Sequence, residues 1–208
     1  MSLLKKSVLI IFLVLLADQI LKIWVKTHMI LGQGEPLLGN WFILHFTENP
    51  GMAFGMQFGG MTGKILLSVF RLVFSVVIFV YILKLIRTKA HPWFIYSLSL
   101  VFAGAVGNII DSAFYGMIFN KSHHQIATLF PPEGGYAGFL KGHVVDMLYF
   151  PVIEGRFPEW FPFWKGEAFT FFQPVFNIAD SAITIGVFII LIFQKRFFQS
   201  TKLEEKRA

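Results

Sequence analysis

The sequence contains only four aspartates, and each lies within or beside an apolar stretch: Asp18, Asp111, Asp146 and Asp180. All eight glutamates lie instead in connecting segments or in the C-terminal tail. A charged side chain inside a membrane segment costs roughly 3 kcal/mol on insertion scales, and such residues are functional-site candidates by default. The uneven distribution therefore indicates that the aspartates have a role other than solubility.

Asp146 and Asp180 are the pair best suited to acid–base chemistry, because their neighbours are apolar and no local cation is evident beside either. Two carboxylates held close in a low-dielectric site share a proton, since one apparent pKa is raised. One acid can then deprotonate a water that attacks a carbonyl, while the other protonates the leaving amine. The pattern predicts peptide hydrolysis, with Asn177 orienting a carboxylate or the substrate. The alternative is two unrelated acids at helix ends.

The other two aspartates fit structural as well as direct roles. Lys22 lies four residues after Asp18 and so on the same helical face, which predicts an ion pair. Arg71 is a second cation at a comparable depth from the outer surface. Asp111 follows Asn108 by three residues and could cap or brace its helix.

Other reaction chemistries receive less support from the spacing. A serine nucleophile at Ser181 or Ser112 would need a lysine base, Lys22 or Lys64, and nothing in the spacing places one beside it. Three histidines could join Asp146 at a metal, but they lie in a Gly- and Pro-rich loop without tight ligand spacing. The chain has no cysteine, which excludes a thiol nucleophile and thiolate ligands. We therefore expect neither a metal nor a soluble cofactor.

Four apolar blocks must position these residues. The chain is 55% hydrophobic and only 14% charged, where soluble domains carry about 25% charged residues. Each block holds roughly 20 residues, the length that crosses a bilayer. The sequence predicts an all-α membrane protein with one domain over residues 1–208. Its four transmembrane helices span about 7–25, 65–86, 93–115 and 175–194.

Lysines and arginines cluster beside these blocks in a way that predicts orientation. Basic residues precede the first block, occupy the short connection between the second and third, and follow the fourth. With four crossings all three clusters face one side, so both termini should be cytoplasmic. The net charge of +6 is then mostly a topology signal, and the scattered groups argue against a nucleic-acid partner.

Two long segments, about 26–63 and 116–174, should lie outside the membrane. The stretch "WFILHF" has strand composition and is followed by the turn signal Asn49-Pro50-Gly51. We expect a small strand or hairpin on the membrane surface. The aromatic run "FPEWFPFW" in the second segment is typical of an interfacial belt or of an ordinary aromatic loop.

Five motifs in order resemble the lipoprotein signal peptidase (signal peptidase II) family: "ADQILK" (17–22), "ENPGMAFG" (48–55), "GAVGNIIDSAFYG" (104–116), "HVVDMLYF" (143–150) and "FNIADSAITIG" (176–186). The resemblance implies a four-helix aspartyl peptidase of the bacterial inner membrane. It would remove signal peptides from diacylglyceryl-modified prolipoproteins, before the lipidated cysteine. The catalytic pair would be Asp146 and Asp180, near the periplasmic face.

The resemblance also implies supporting residues, a small β-cradle and a mobile periplasmic segment in the 35–60 region. It implies inhibition by globomycin, and we expect a monomer that contacts membrane lipid. Residues at other characteristic family positions are Asp18, Lys22, Asn49, Gly51, Gly104, Asn108, Asp111, Asn177 and Ala179.

Three features depart from the family pattern. Ser112 stands where an arginine is usual, so Arg71 or a loop cation would have to substitute, or the contact is lost. Met52 stands where small residues are common. Residues 117–142 and 151–172 look like insertions, which leaves the geometry of the outer loops open.

A non-enzymatic channel or transporter subunit is the competing class, because it would also hold aspartates and lysines in the membrane. Such residues should mark a path across the bilayer. All four aspartates fall toward the outer side, which favours a surface-accessible site.

Overall fold

The computed structural model describes residues 1–50, 60–151, 153–171 and 175–205. Its long helices are α1 (Leu3–His28), α2 (Gly60–Arg87), α3 (Pro92–Ile110) and α4 (Ile178–Glu205). Within the described residues, each contributes a segment that is long and apolar enough to cross a membrane. The prediction of four transmembrane helices is confirmed. Their outward faces carry exposed apolar side chains such as Phe12, Phe70 and Ile192, as a lipid-facing surface requires.

The helix α3 continues beyond its regular part. A π-helical turn, Asp111–Tyr115, follows directly, and one further α-helical turn, Gly116–Ile118, ends the span. π-turns are rare and occur frequently at functional sites. Here the turn begins at Asp111, one of the four aspartates.

A four-stranded antiparallel sheet covers one end of the helices. Its strands are β1 (Gly34–Leu38), β2 (Phe42–Asn49), β3 (Val144–Tyr149) and β6 (Val175–Phe176), in the order β1-β2-β3-β6. The predicted strand "WFILHF" lies in β2. A separate hairpin is formed by β4 (Ile153–Arg156) and β5 (Ala168–Phe171).

Asp146 lies in the middle of β3, so the alternative of two unrelated acids at helix ends does not hold for this residue. The apolar run around it is only six residues long, which is strand length, and Gly142 and Pro151 flank it. The cradle expected in the 35–60 region therefore takes β3 from the second outer segment and β6 from residues 175–176, where the fourth helix was predicted to begin.

Two apolar clusters hold the fold together. One packs the sheet onto the ends of α1 and α3, with Val25, Phe46, Tyr115 and Met147 buried in it. The other lies at the opposite end of the helices. At fully buried positions each side chain contributes about 1.5–3 kcal/mol of transfer free energy. The first cluster fixes the sheet, and with it Asp146, against the bundle.

The helices α3 and α4 make the most extensive helix contact in the described chain. A Cβ atom at Gly104 would overlap the carbonyl oxygen of Ala179, and one at Gly107 would meet Asp18 Oδ2 at 2.8 Å. Small residues let two backbones approach closely in membranes. The close approach brings the start of α4 against the network described below.

The hairpin of β4 and β5 carries an aromatic tip. Phe157, Phe161 and Trp164 stack on one another with ring centroids 5.0 to 5.9 Å apart. Trp160 and Phe163 project from this stack and are 78% and 79% exposed. Contact of these two side chains with the membrane interface stays a prediction.

Candidate active site

Two different elements present the predicted catalytic pair. Asp146 projects from β3, opposite Thr47 of β2, and only 2% of it is exposed. Asp180 lies in the first turn of α4 and is partly exposed. The pair therefore combines one enclosed carboxyl group with one that is open to solvent.

Asn177 joins the two elements. It precedes α4, and its side-chain Oδ1 accepts a hydrogen bond from the Asp180 amide N–H at 2.9 Å, which is an N-cap. Its Nδ2 donates to Asp146 Oδ1 at 2.6 Å. One buried side chain thus fixes the start of the Asp180 helix relative to the Asp146 strand.

Two further amides complete the hydrogen bonds of the acids. Asn108 on α3 donates from Nδ2 to Asp180 Oδ1 at 2.8 Å, and its own Oδ1 accepts from Asn177 Nδ2 at 3.1 Å. Asn49 on β2 donates to Asp146 Oδ2 at 3.2 Å. Both carboxyl groups consequently belong to one continuous network, bridged by the contact between Asn108 and Asn177.

Lys22 lies at the base of this network and is fully buried. Its ammonium group contacts Asp18 Oδ2 and Asp111 Oδ2 at 2.8 Å each, and donates to Asn108 Oδ1 at 2.9 Å. All three ammonium protons are used. The predicted pairing of Asp18 with Lys22 is confirmed.

Asp18 and Asp111 each hold one of the elements that carry the candidate pair, Asp146 and Asp180. Asp18 Oδ1 accepts from the Ala179 amide N–H at 2.9 Å, beside Asp180. Asp111 Oδ2 accepts from the Val145 amide N–H at 3.2 Å, beside Asp146. Asp111 therefore reaches from α3 to the strand, in addition to its bond with the lysine.

The environment of Asp146 raises its pKa from the ordinary 3.8 to about 7. Burial is the largest cause and the negative charge of Asp180 is the second. The amides of Asn49 and Asn177 act in the opposite direction, because they donate to the ionised form. At neutral pH this carboxyl group can therefore both hold and release a proton.

The remaining predicted residues fall into three groups. Gly104 and Ala179 form the close contact of α3 with α4. Arg71 on α2 is near enough to Asp180 and Asp146 for their charges to interact. Gly51, like Met52, lies outside the described residues.

The serines weighed as nucleophiles are engaged within their own helices. Ser112 donates from Oγ to the carbonyl oxygen of Asn108 at 3.0 Å, and Ser181 does the same to that of Asn177 at 3.0 Å. Lys64 donates to the carbonyl oxygen of Lys141. Over the described part of the chain, no three acidic, histidine or cysteine side chains come together as a metal site.

Sequence reasoning missed Gln19. Its Nε2 donates to Asp18 Oδ2 at 3.1 Å and to Asp111 Oδ1 at 3.0 Å, while its Oε1 accepts from the Tyr115 hydroxyl at 3.1 Å. Gln19 thus donates to the same two carboxylates that Lys22 contacts. Its position beside Asp18 within an apolar helix was the available signal.

Comparison with known proteins agrees with this arrangement. The family described as Signal peptidase (SPase) II matches residues 10–196. A lipoprotein signal peptidase of Porphyromonas gingivalis is 53% identical over 188 residues, covering 90% of this chain and 81% of that protein. One from Amoebophilus asiaticus is 41% identical over 193 residues, covering 91% and 78%.

Solved structures show the same fold. A bacterial membrane enzyme determined by the in meso method superposes with a TM-score of 0.60 at 23% identity, covering 94% of this chain and 90% of that one. The fold, the family match and the two relatives agree along nearly the whole chain. The chain belongs to the signal peptidase II family of peptidases.

Proposed function

We propose that this protein is a membrane aspartyl endopeptidase that removes the signal peptide from diacylglyceryl-modified prolipoproteins, cutting before the lipidated cysteine. The observation that carries the proposal is the bridge of Asn108 and Asn177 between Asp146 and Asp180. It binds two carboxyl groups of different exposure into one network at the end of the apolar helices. The substrate class follows from the relatives, which are lipoprotein signal peptidases.

In this proposal the enclosed Asp146 holds the proton at the start of the reaction, which its pKa of about 7 supports. Asp180 takes a proton from a water molecule, and the water oxygen attacks the scissile carbonyl carbon. Asp146 then gives its proton to the amide nitrogen as the C–N bond breaks. The products are a carboxylic acid and an amine, and proton transfer from Asp180 back to Asp146 restores the starting state.

The four amide and ammonium donors act by holding this geometry. Asn49 and Asn177 stabilise the carboxylate that forms on Asp146 when it releases its proton. Asn108 orients Asp180, and Lys22 fixes Asn108 in turn. Arg71 on α2 adds positive charge near the two aspartates. No metal or soluble cofactor enters the scheme.

The location of the pair fits a lipidated substrate. Diacylglyceryl chains keep the modified cysteine at the membrane surface, so the acids must lie at that depth. Asp180 begins a membrane helix, and Asp146 lies in the sheet over the same end. We place the chain in the bacterial inner membrane as a monomer of one domain, with cytoplasmic termini and a periplasmic active site.

The direct test is a gel-shift cleavage assay with the purified protein and a diacylglyceryl-modified prolipoprotein. We expect cleavage of the lipidated substrate, none of the same chain without its lipid, and inhibition by globomycin. Asp180→Asn should bind but not cleave. If folded wild-type protein leaves the lipidated substrate intact, the peptidase assignment is wrong, and ion flux in liposomes would test the transport alternative.

A further inference from the structure

A second charged cluster lies outside the network of the catalytic pair. It consists of Lys26, Glu48, Ser122 and His143, and is called the Glu48 cluster here. The Glu48 carboxylate contacts the Lys26 ammonium and accepts from Ser122 Oγ at 2.7 Å. Its other oxygen is 3.1 Å from His143 Nδ1. These contacts join α1, β2, the segment after α3 and the residue before β3.

The ion pair at the centre of the cluster, Lys26 and Glu48, is largely enclosed, whereas His143 is partly exposed. Lys26 is fully buried, and its ammonium lies 5.1 to 5.9 Å from the ring centroids of Phe46, Phe119 and Tyr136. Three aromatic faces around an ammonium favour its charged form. Burial alone would raise the pKa of Glu48, but the hydrogen bonds from His143, Lys26 and Ser122 and the charge of Lys26 outweigh it and lower the pKa to about 2, so Glu48 is ionised at neutral pH.

Glu48 and the catalytic site lie on opposite faces of β2. Adjacent strand residues point to opposite sides of a sheet, and the contacts follow that rule. Asn49 faces Asp146, whereas Glu48 faces α1 and the aromatic rings. The Glu48 cluster therefore cannot touch the reacting atoms, and any effect on the reaction must pass through the strand.

The strand needs a local anchor at this point. The pairing of β2 with β3 is irregular between Leu44 and Thr47, so the first half of the ladder does not determine the alignment of the second. The second half is short and pairs Thr47 with Asp146, and Asn49 with Val144. A slip of one residue would turn the Asn49 amide away from the carboxyl group.

Stability alone is a weak reason for such a cluster. Removing two charges from water costs free energy that their attraction often does not recover, and apolar residues of similar volume frequently stabilise as well. A buried ion pair is better suited to select one register, because a slipped strand would leave both charges unpaired.

We propose that Glu48, anchored through its cluster, is a positioning residue for the reaction, which keeps the Asn49 amide on Asp146. This role rests on the proposed function, since it matters only if Asp146 takes part in hydrolysis. Glu48 acts through Asn49 and makes no contact with substrate. Its loss should therefore lower kcat and leave KM nearly unchanged.

The test is a double-mutant cycle on kcat in the cleavage assay. Glu48→Gln and Asn49→Ala should each lower kcat by roughly 10- to 100-fold, because small displacements of catalytic groups have effects of that size. The double variant should be no slower than Asn49→Ala alone, within about twofold, since both changes remove one interaction. The matched control is Glu35→Gln on β1, an exposed residue bonded to Gln33, which should leave kcat unchanged.

Two results would overturn the role of Glu48: folded Glu48→Gln protein with wild-type kcat, or losses that multiply in the double variant. Should Glu48→Gln not yield folded protein, Ser122→Ala removes one bond to Glu48 and should reproduce the non-additivity with a smaller loss, about threefold to tenfold. Normal cleavage by Asp146→Asn would instead contradict the proposed function itself.

Discussion

Removal of the Asn177 side chain should separate the structural and the chemical roles of one residue. Asn177 caps α4 through its oxygen and donates to Asp146 through its nitrogen at 2.6 Å. Asn177→Ala removes both functions. Asn177→Ser keeps a side-chain oxygen, which is among the preferred caps, but has no amide to offer the carboxyl group.

The cap and the hydrogen bond to Asp146 differ in the free energy that each contributes. Loss of an N-cap costs about 1 kcal/mol of folding stability. A hydrogen bond to a charged group is worth about 2 kcal/mol, which corresponds to roughly 1.5 pKa units. The amide favours the ionised carboxylate, so its removal should raise the pKa of Asp146 from about 7. The same bond strengthens as Asp146 releases its proton, so kcat should fall by about 30-fold.

The assay is the initial rate of prolipoprotein cleavage between about pH 5 and pH 10, where kcat reports the essential groups of the bound complex. In the proposed reaction, deprotonation of Asp146 ends activity on the alkaline side. In both variants that limb should move to higher pH by roughly 1.5 units. Both variants lose the buried amide donor, but Asn177→Ala also loses the cap and should unfold at a lower temperature in detergent than Asn177→Ser. An alkaline limb at its wild-type position in both variants would refute the assignment of Asp146 as the acid.

Three further predictions concern packing and charge. Lys22→Met leaves two buried carboxylates without their cation and should cost about 3–5 kcal/mol of stability, measured by thermal unfolding. The control is Lys84→Met, at an exposed position. Equal stability of the two variants would contradict the ion pairs of Lys22 with Asp18 and Asp111. Gly104→Ala should cost about 1–3 kcal/mol of folding stability, because the new methyl group overlaps α4. Gly138→Ala, with open space around it, should leave stability unchanged. Similar losses in the two variants would contradict the close contact between α3 and α4. Asp146→Asn should gain stability relative to wild type as pH rises from about 4 to about 7. The pKa of Asp146 is about 7 in the folded state against the ordinary 3.8, so wild type loses up to about 4 kcal/mol of folding free energy across this range and the Asn variant does not. A stability difference that does not change with pH would contradict the raised pKa.

The helices could be predicted, and Asp146 and Asp180 could be singled out as candidates, because the signals for both are local. A run of roughly 20 apolar residues has the length of a helix that crosses a bilayer. An aspartate within or beside such a run is easy to recognise, because charged residues are rare there. The pairing of Asp18 with Lys22 follows from a spacing of four along one helix. Each of these inferences needs only the residues of a single segment.

The contacts between segments could not be predicted in the same way. Asp111 bonds to Val145, 34 residues away, and Asp18 to Ala179, 161 residues away. Nothing near either aspartate in the chain identifies these partners, because the bonds depend on how α3, α4 and β3 pack. The strand around Asp146 was not predicted for a related reason: a short apolar run fits a strand or a helix end, and only pairing with β2 decides between them.

The central claim is that Asp146 and Asp180 act together on one water molecule. Asp146→Asn and Asp180→Asn, which keep the volume of each side chain, should be compared with wild type in the cleavage assay, after circular dichroism and thermal unfolding show that each is folded. Either change alone should lower kcat by at least about 1,000-fold, because each removes one partner of the proton transfer. Cleavage by either folded variant within tenfold of the wild-type rate would contradict it.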